Sequence, residues 1–412
     1  MLKRFAFLLV LILVIDIYAY QAFLTIFGYS VLLSIIYFGL TGILLLALFI
    51  FLNNNLRSRL NIPQQLSASL IFLLLFPKIL ISIFMLAEDI IRLLKIGINQ
   101  IVIHVFNNES FYLGIERSFV WSWLAIGFTF LLLIAFVYGS VFNVYNYKVR
   151  KVSLKMLQLP KAFLGLKVVQ ISDIHSGSLS DKSAIQKAVN TINALDPDLV
   201  LFTGDLVNNI ATEALPLVEI FRGIHSKQGV FSVLGNHDYG DYMQWESPEA
   251  KVQNLNHLKA LHNQMGWRLL LNEHVQIEKD GEKIIVAGVE NWSASSRFPK
   301  HGKLHQALNG IHETFTVLLL SHDPSHWEAE VLNHPAKIDV MFAGHTHGMQ
   351  FGIEIFNFKW SPVKYFYKQW AGLYENNGSY LYVNRGFGVI GYPGRVGILP
   401  EITLFTLDAK EV

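Results

Sequence analysis

The sequence predicts two parts: an α-helical transmembrane region, then a layered α/β domain. Two observations carry this. Nearly all the long apolar runs of the 412-residue chain lie before residue 145, and from Lys161 onward short apolar runs alternate with amphipathic stretches. A mean hydropathy of +0.38 with 16% charged residues is too apolar for an ordinary soluble enzyme. The divisions read as 1–145 membrane region, 146–164 basic juxtamembrane linker, and 165–412 α/β domain.

Four stretches are long enough to cross a hydrocarbon core of about 30 Å: Phe5–Phe23, Val31–Phe51, Leu66–Leu86 and Phe119–Phe142. The first follows Lys3 and Arg4 as a signal peptide would, but it lacks a small-residue cleavage site before the second span. Lys3 and Arg4, Arg57 and Arg59, and Lys148, Arg150, Lys151 and Lys155 all fall on one side of the membrane. The positive-inside bias therefore puts the N-terminus and everything after residue 145 in the cytoplasm, although Arg92, Lys95 and Arg117 in the link from Ala87 to Ser118 weaken the asymmetry. In that link Glu88, Arg92, Lys95 and Asn99 form a polar helical stripe. It suits either a helix along the membrane surface or an extension of span three. Asp16 in span one and Lys78 in span three lie at similar depth, because the two helices run the same way. A structural ion pair is the expectation, ahead of transport chemistry.

In the second part, 166–172, 199–203, 229–235, 283–288, 315–321 and 339–344 read as strands rich in Val, Ile, Leu and Phe. Ser183–Leu195 reads as a helix, and another starts after Ser247 with Pro248 at its first position. The strand ends are the informative part. "DIH" (173–175), "GDLVNN" (204–209), "NHD" (236–238), "HDP" (322–324) and "HTHG" (345–348) each follow a strand, and each contains metal ligands. Ligands of layered α/β sheets collect at the carboxyl ends of strands, so five such clusters point to one metal site. With 0 cysteines, only His, Asp, Glu or Asn can hold the ions.

Hydrolysis of a phosphate ester needs an oxygen nucleophile and neutralisation of charge on the phosphoryl oxygens, which two cations about 3.5–4 Å apart supply. Asp173, Asp205 and Asn236 with His175, His322, His345 and His347 provide the inventory. His237 is left over. The net charge of +2 gives no case for a nucleic-acid partner.

The ordered set D-x-H, G-D, G-N-H-D, H and G-H-T-H over residues 165–350 resembles the calcineurin-like metallophosphoesterase family, and "NRGFG" (384–388) with "PEITLFTL" (400–407) resembles its membrane-associated bacterial branch. The resemblance implies a two-sheet β-sandwich flanked by helices. It places one divalent ion on Asp173, His175 and His347 and a second on Asn236, His322 and His345, with Asp205 bridging; Mn, Fe or Zn suits these donors. A hydroxide bridging the metals would attack phosphorus, with His237 donating a proton to the leaving oxygen. Asn208 stands where many members carry an aspartate that holds this histidine, so its amide is expected to orient the ring without stabilising the imidazolium. The substrate implied is a phosphoester, lipid-linked or a soluble phosphodiester; a metal-stabilised scaffold without catalysis is the remaining alternative. His301, His305, His312, His326 and His334 read as surface or packing residues. Arg385 and Arg395 suit either a phosphate or a structural role, and Glu290 and Asn291 are candidate pocket residues.

Overall fold

The computed structural model describes residues 2–53, 64–107, 110–312, 314–356 and 358–410. Arg57 and Arg59 lie outside the described residues, as do the side chains of Lys3 and Arg4. The chain divides into two units, residues 1–137 with 391–393, and 138–390 with 394–412.

Four helices dominate the first unit: α1 (Leu2–Phe27), α2 (Val31–Leu52), α3 (Gln64–Phe106) and α4 (Phe119–Val141), all apolar enough to span a membrane. At about 1.5 Å per residue, the 43 residues of α3 far outrun one bilayer core. The link after span three therefore begins as a continuation of that helix rather than as a separate surface helix. Its polar stripe accounts for the extension. Arg92 Nε donates to the Ile115 carbonyl (2.7 Å), Asn99 Nδ2 donates to the Leu113 carbonyl (2.9 Å), and the Leu113 N–H donates to Asn99 Oδ1 (2.9 Å). Glu88 accepts from the Ser118 N–H, so the stripe satisfies a backbone segment running back along the helix.

Asp16 and Lys78 form a buried ion pair. The Thr41 hydroxyl donates to Asp16 Oδ2 (2.6 Å) while accepting from Lys78 Nζ (2.6 Å), and the Tyr37 hydroxyl donates to the Asp16 carbonyl (3.0 Å). Every polar atom of the pair thus meets a partner from α1, α2 or α3, which suits a lock on helix register.

The second unit is a sandwich of two six-stranded sheets. The first runs β1 (Lys148–Met156), β14 (Glu401–Ala409), β2 (Leu166–Ile171), β3 (Leu199–Phe202), β4 (Val230–Ser232), β5 (Trp267–Leu269). The second runs β12 (Gly372–Asn376), β13 (Ser379–Val383), β9 (Val340–Ala343), β8 (Thr316–Leu320), β7 (Glu282–Gly288), β6 (Glu273–Lys279), and a separate hairpin pairs β10 (Ile353–Ile355) with β11 (Phe358–Trp360). Inner-face residues such as Val168, Leu201, Phe231, Leu318 and Phe342 fill the space between the sheets. Their neighbours one position away, Val169, Val200 and Phe202, face the helical layer, which includes α5 (Lys182–Ala194) and α6 (Pro248–Gln264). Burial of both faces explains why these strands read as unbroken apolar runs.

The stretch 146–164 is not simply a linker. It contains β1, which pairs in parallel with β14 from Lys148↔Glu401 to Met156↔Ala409. Lys151 and Lys155 share the exposed face of this edge strand, where they discourage further pairing, while Arg150 on the other face pairs with Glu354 and Glu401.

Replacing Asp16 by Asn or Lys78 by Met leaves one buried charge unpaired, at a cost of roughly 3–5 kcal/mol. Each single variant should lower the thermal midpoint of the detergent-solubilised protein by several degrees, and the double variant should recover most of the loss. Additive losses in the double variant would show that the two groups do not act as a pair.

Candidate metal centre

The parallel strands β2, β3 and β4 of one sheet and β8 and β9 of the other all send their carboxyl ends to one rim of the sandwich. Short polar loops leave these ends under tight backbone constraint. Asp173, His175, Asp205, His345 and His347 all have φ between 48° and 71°. This left-handed region costs a residue with a Cβ roughly 1–2 kcal/mol, so the surrounding structure must impose it. Hydrogen bonds do so. Asp173 accepts from the His345 N–H (2.9 Å), joining the β2 loop to the β9 loop, and Asp205 Oδ1 accepts from the His237 N–H (2.8 Å), joining the β3 loop to the β4 loop. Two glycines permit this closeness. A Cβ on Gly235 would fall 2.2 Å from Asp205 Oδ1, and one on Gly344 would fall 2.1 Å from Asp173 Oδ2.

Asp238 is a residue whose role the sequence reading missed, although it ends the G-N-H-D motif. Fully buried, it accepts from the N–H groups of Asp205 (3.0 Å), Leu206 (2.9 Å) and Gly235 (2.9 Å), and so fastens the loop that carries Asp205. Burial, then the charge of Asp205, raises its carboxyl to about 7.

The donor atoms gather in two groups, Asp173–His175–His347 and Asp205–His322–His345, each with ligand atoms within 4.8 Å of one another. Asp205 Oδ2 lies between the groups, 3.1 Å from His322 Nε2 and 3.6 Å from His175 Nε2. Asn236 Oδ1 sits 2.8 Å from His345 Nδ1. His175 and His347 point Nε2 atoms at each other across 3.0 Å, with Asp173 Oδ1 3.2 Å from His347 Nε2. Two imidazoles and a carboxylate converging in this way suit a shared cation. The second group fits as well: His322 donates from Nδ1 to the Thr203 carbonyl (2.7 Å), which turns Nε2 towards the pocket, and that buried Nε2 has no aligned hydrogen bond among the described residues.

Electrostatics agree with the geometry. Burial alone would lower the basicity of His322, but Asp205, Asp173 and the Thr203 carbonyl outweigh it and raise the imidazole to about 10. Burial likewise opposes ionisation of Asp205, yet His322, His237 and His175 hold that carboxyl well below its usual range. The pocket therefore favours positive charge at His322.

Two tyrosines absent from the sequence reading orient the ligands. Tyr367 places its hydroxyl 2.7 Å from His345 Nε2, leaving Nδ1 for the pocket, and Tyr242 accepts from Asn236 Nδ2 (2.8 Å), turning Oδ1 inward. Neither belongs to a local motif, so only the fold brings them in. His237 sits at the mouth, its ring centre 5.0 Å from that of His175 and 4.5 Å from that of Tyr242. The ring is oriented by Asn208, but not through the amide. His237 Nδ1 meets the Asn208 backbone carbonyl at 2.7 Å, while the Asn208 side chain donates to Ser178 Oγ (2.9 Å). Glu213 holds this loop by accepting from the Asn208 N–H (2.6 Å).

Both arginines are structural. Arg385 pairs with Glu354 and Glu401, and Arg395, fully buried, donates to the carbonyls of Arg385, Gly386 and Gly388 and lies 3.3 Å from His347 Nδ1. Glu290 accepts from Asn272 (2.8 Å) and Tyr239 (3.2 Å), and buried Asn291 donates to the Pro299 carbonyl (3.0 Å), so both brace loops. His326 stacks on Trp292 and His301 on Tyr239, as packing residues do. A cleft of ≈ 870 Å³ opens beside His345, lined by Phe298, Met349, Phe366 and Tyr367 and by the charged Arg297 and Lys368.

Comparison with known proteins agrees with this architecture. Residues 166–349 match the family described as "Calcineurin-like phosphoesterase", and residues 3–144 match one described as "Probable Calcineurin-like phosphoesterase, transmembrane domain". The chain is 31% identical over 280 residues to the "Transmembrane protein with metallophosphoesterase domain" of Danio rerio, covering 66% of this chain and 60% of that protein. The Bos taurus protein of the same name is 30% identical over 267 residues, 63% of this chain and 57% of its own. With the "Uncharacterized metallophosphoesterase YkuE" of Bacillus subtilis (strain 168) identity is 28% over 260 residues, 62% of this chain and 84% of that protein. The chain thus spans less than two thirds of the two vertebrate relatives.

Below pH 10 a cation entering the emptied pocket must displace the His322 proton, so metal affinity should weaken about tenfold for each unit the pH falls. Titration calorimetry of the chelator-stripped protein with Mn²⁺, in buffers of different ionisation enthalpy, should read release of about one proton. His322→Ala should abolish the release and weaken the binding.

Proposed function

Because this chain belongs to the calcineurin-like phosphoesterase family, we propose that it is a membrane-anchored phosphoesterase that hydrolyses phosphodiester or pyrophosphate bonds with two divalent cations. The observation that carries this reading is Asp205, whose Oδ2 lies 3.1 Å from His322 and 3.6 Å from His175 and so faces both donor groups. Asp173, His175 and His347 would hold one cation, and Asn236, His322 and His345 the other, with Asp205 shared. When bound, two such cations neutralise charge on the phosphoryl oxygens and make a water acidic enough to act near neutral pH.

The chain's own residues do the rest. His237 Nδ1 donates to the Asn208 carbonyl, so Nε2 gives a proton to the departing oxygen from the imidazolium form. A carbonyl fixes the tautomer but lacks the charge with which a carboxylate would stabilise imidazolium. Leaving groups that depart readily as anions therefore need this step least. Lys148, Arg150 and Lys151, just after the fourth span, support a cytoplasmic position for the domain. A reporter fused after Val412 and active only outside the cytoplasm would contradict that position if it were active.

Full-length protein, stripped and reloaded with Mn²⁺, should hydrolyse bis-p-nitrophenyl phosphate, and Asp205→Ala should not. His237→Ala should retain metal yet lose about 10²–10⁴-fold in kcat for alkyl leaving groups, and less for p-nitrophenolate. Asn208→Ala should stay within a few fold, because the backbone makes the contact. Full activity in His237→Ala would exclude its role, and metal binding without turnover of any ester would favour a scaffold.

A further inference from the structure

The stretch from residue 353 to residue 366, which contains the β10–β11 hairpin, breaks the usual surface rule. Ile353, Ile355, Phe356, Phe358, Tyr365 and Phe366 are each at least 46% exposed, and Phe356 is entirely so at 104%. A soluble surface seldom gathers this much exposed apolar area in one short segment. The segment is nonetheless firmly anchored. Glu354, between the exposed isoleucines, pairs with both Arg150 and Arg385. The exposure is therefore presented by a fixed support.

That support leads back to the membrane. Gly139, in the last turn of α4 and part of the second unit, accepts from the Arg395 N–H (3.1 Å), and Asn143 Nδ2 donates to the Arg395 carbonyl (3.0 Å). The next residue, Val396, donates to the Gln350 carbonyl (2.8 Å) and accepts from the Gly352 N–H (2.9 Å), immediately before β10. The hairpin base is thus hydrogen-bonded through one strand-like segment to the point where the fourth span ends. Tyr138, Val141 and Phe142 at that end are themselves more than half exposed. The cleft beside His345 is flanked by the same segment, with exposed Met349 and Phe366 among its lining residues.

We propose that the β10–β11 hairpin and the turn through Phe366 form a lip seated in the interfacial layer of the bilayer, so that the cleft takes phosphoester headgroups of lipids directly from the membrane. The occupant of this apolar face is the bilayer that the chain's own spans cross; aromatic and aliphatic side chains on a fixed polar base suit that layer. The substrate class rests on the phosphoesterase reading above. The seating of the lip does not.

The absence of cysteine allows a clean test. Full-length Phe356→Cys, labelled with a nitrobenzoxadiazole dye and reconstituted in vesicles of phosphatidylcholine and phosphatidylglycerol, is compared with Glu219→Cys, whose side chain is 79% exposed. The dye at 356 should be quenched by nitroxide-bearing lipids and reduced by aqueous dithionite at least fivefold more slowly than the dye at 219. Equal reduction by dithionite overturns the proposal. Shielding from both reagents also overturns it, because a second copy of the chain would then cover the face. In a second arm, Phe356→Asp should slow hydrolysis of vesicle-borne phosphatidylglycerol at least tenfold while leaving turnover of bis-p-nitrophenyl phosphate within twofold. Equal effects on both substrates, or none on either, remove the lipid-headgroup assignment. If the unaltered protein turns over neither, the phosphoesterase reading fails while the dye still decides the lip.

Discussion

One carboxylate organises the second unit. Asp205 is buried, has a left-handed backbone, and uses its two oxygens differently: Oδ1 accepts the His237 N–H, and Oδ2 faces His322 and His175. An unpaired carboxylate in such a place would be costly. Its surroundings are built to prevent that cost, with Asp238 fixing the loop from behind and the His322 imidazole, whose basicity is raised, in front. The two-sheet sandwich serves this arrangement, because parallel strands from both sheets bring five polar loops to one rim.

The support extends well beyond the donor atoms. Gly235 and Gly344 permit backbone approach, Tyr242 and Tyr367 turn Asn236 and His345, and Arg395 ties the loop from Arg385 to Gly388 against His347. Arg395 is a useful contrast. In isolation an arginine between glycines near such a site suggests phosphate recognition, yet its guanidinium is spent on backbone carbonyls. Burial and the number of available acceptors decided its role.

In the first unit the same economy holds on a smaller scale. The Asp16–Lys78 pair, closed by Thr41 and Tyr37, joins three helices at one depth. The polar stripe from Glu88 to Asn99 binds a returning backbone segment, which is why α3 continues past the length a bilayer requires.

The sequence by itself determined the two-part plan, the four spans and the central strands, and it singled out the seven candidate donor residues, because each is a local signal. A span declares itself by length, a doubly buried strand by its apolar run, and a strand-end ligand by position. The Asp16–Lys78 pairing was legible too, from the parallel course of two spans. Tertiary structure alone decided what depends on distant partners. β1 looked like a basic linker because an edge strand shows its charged face, and its pairing to β14 spans most of the domain. Asn208 acts through its carbonyl because Ser178 takes its amide, and Tyr367 reaches His345 from outside any motif. Such roles are set by long-range geometry, which no stretch of a dozen residues encodes.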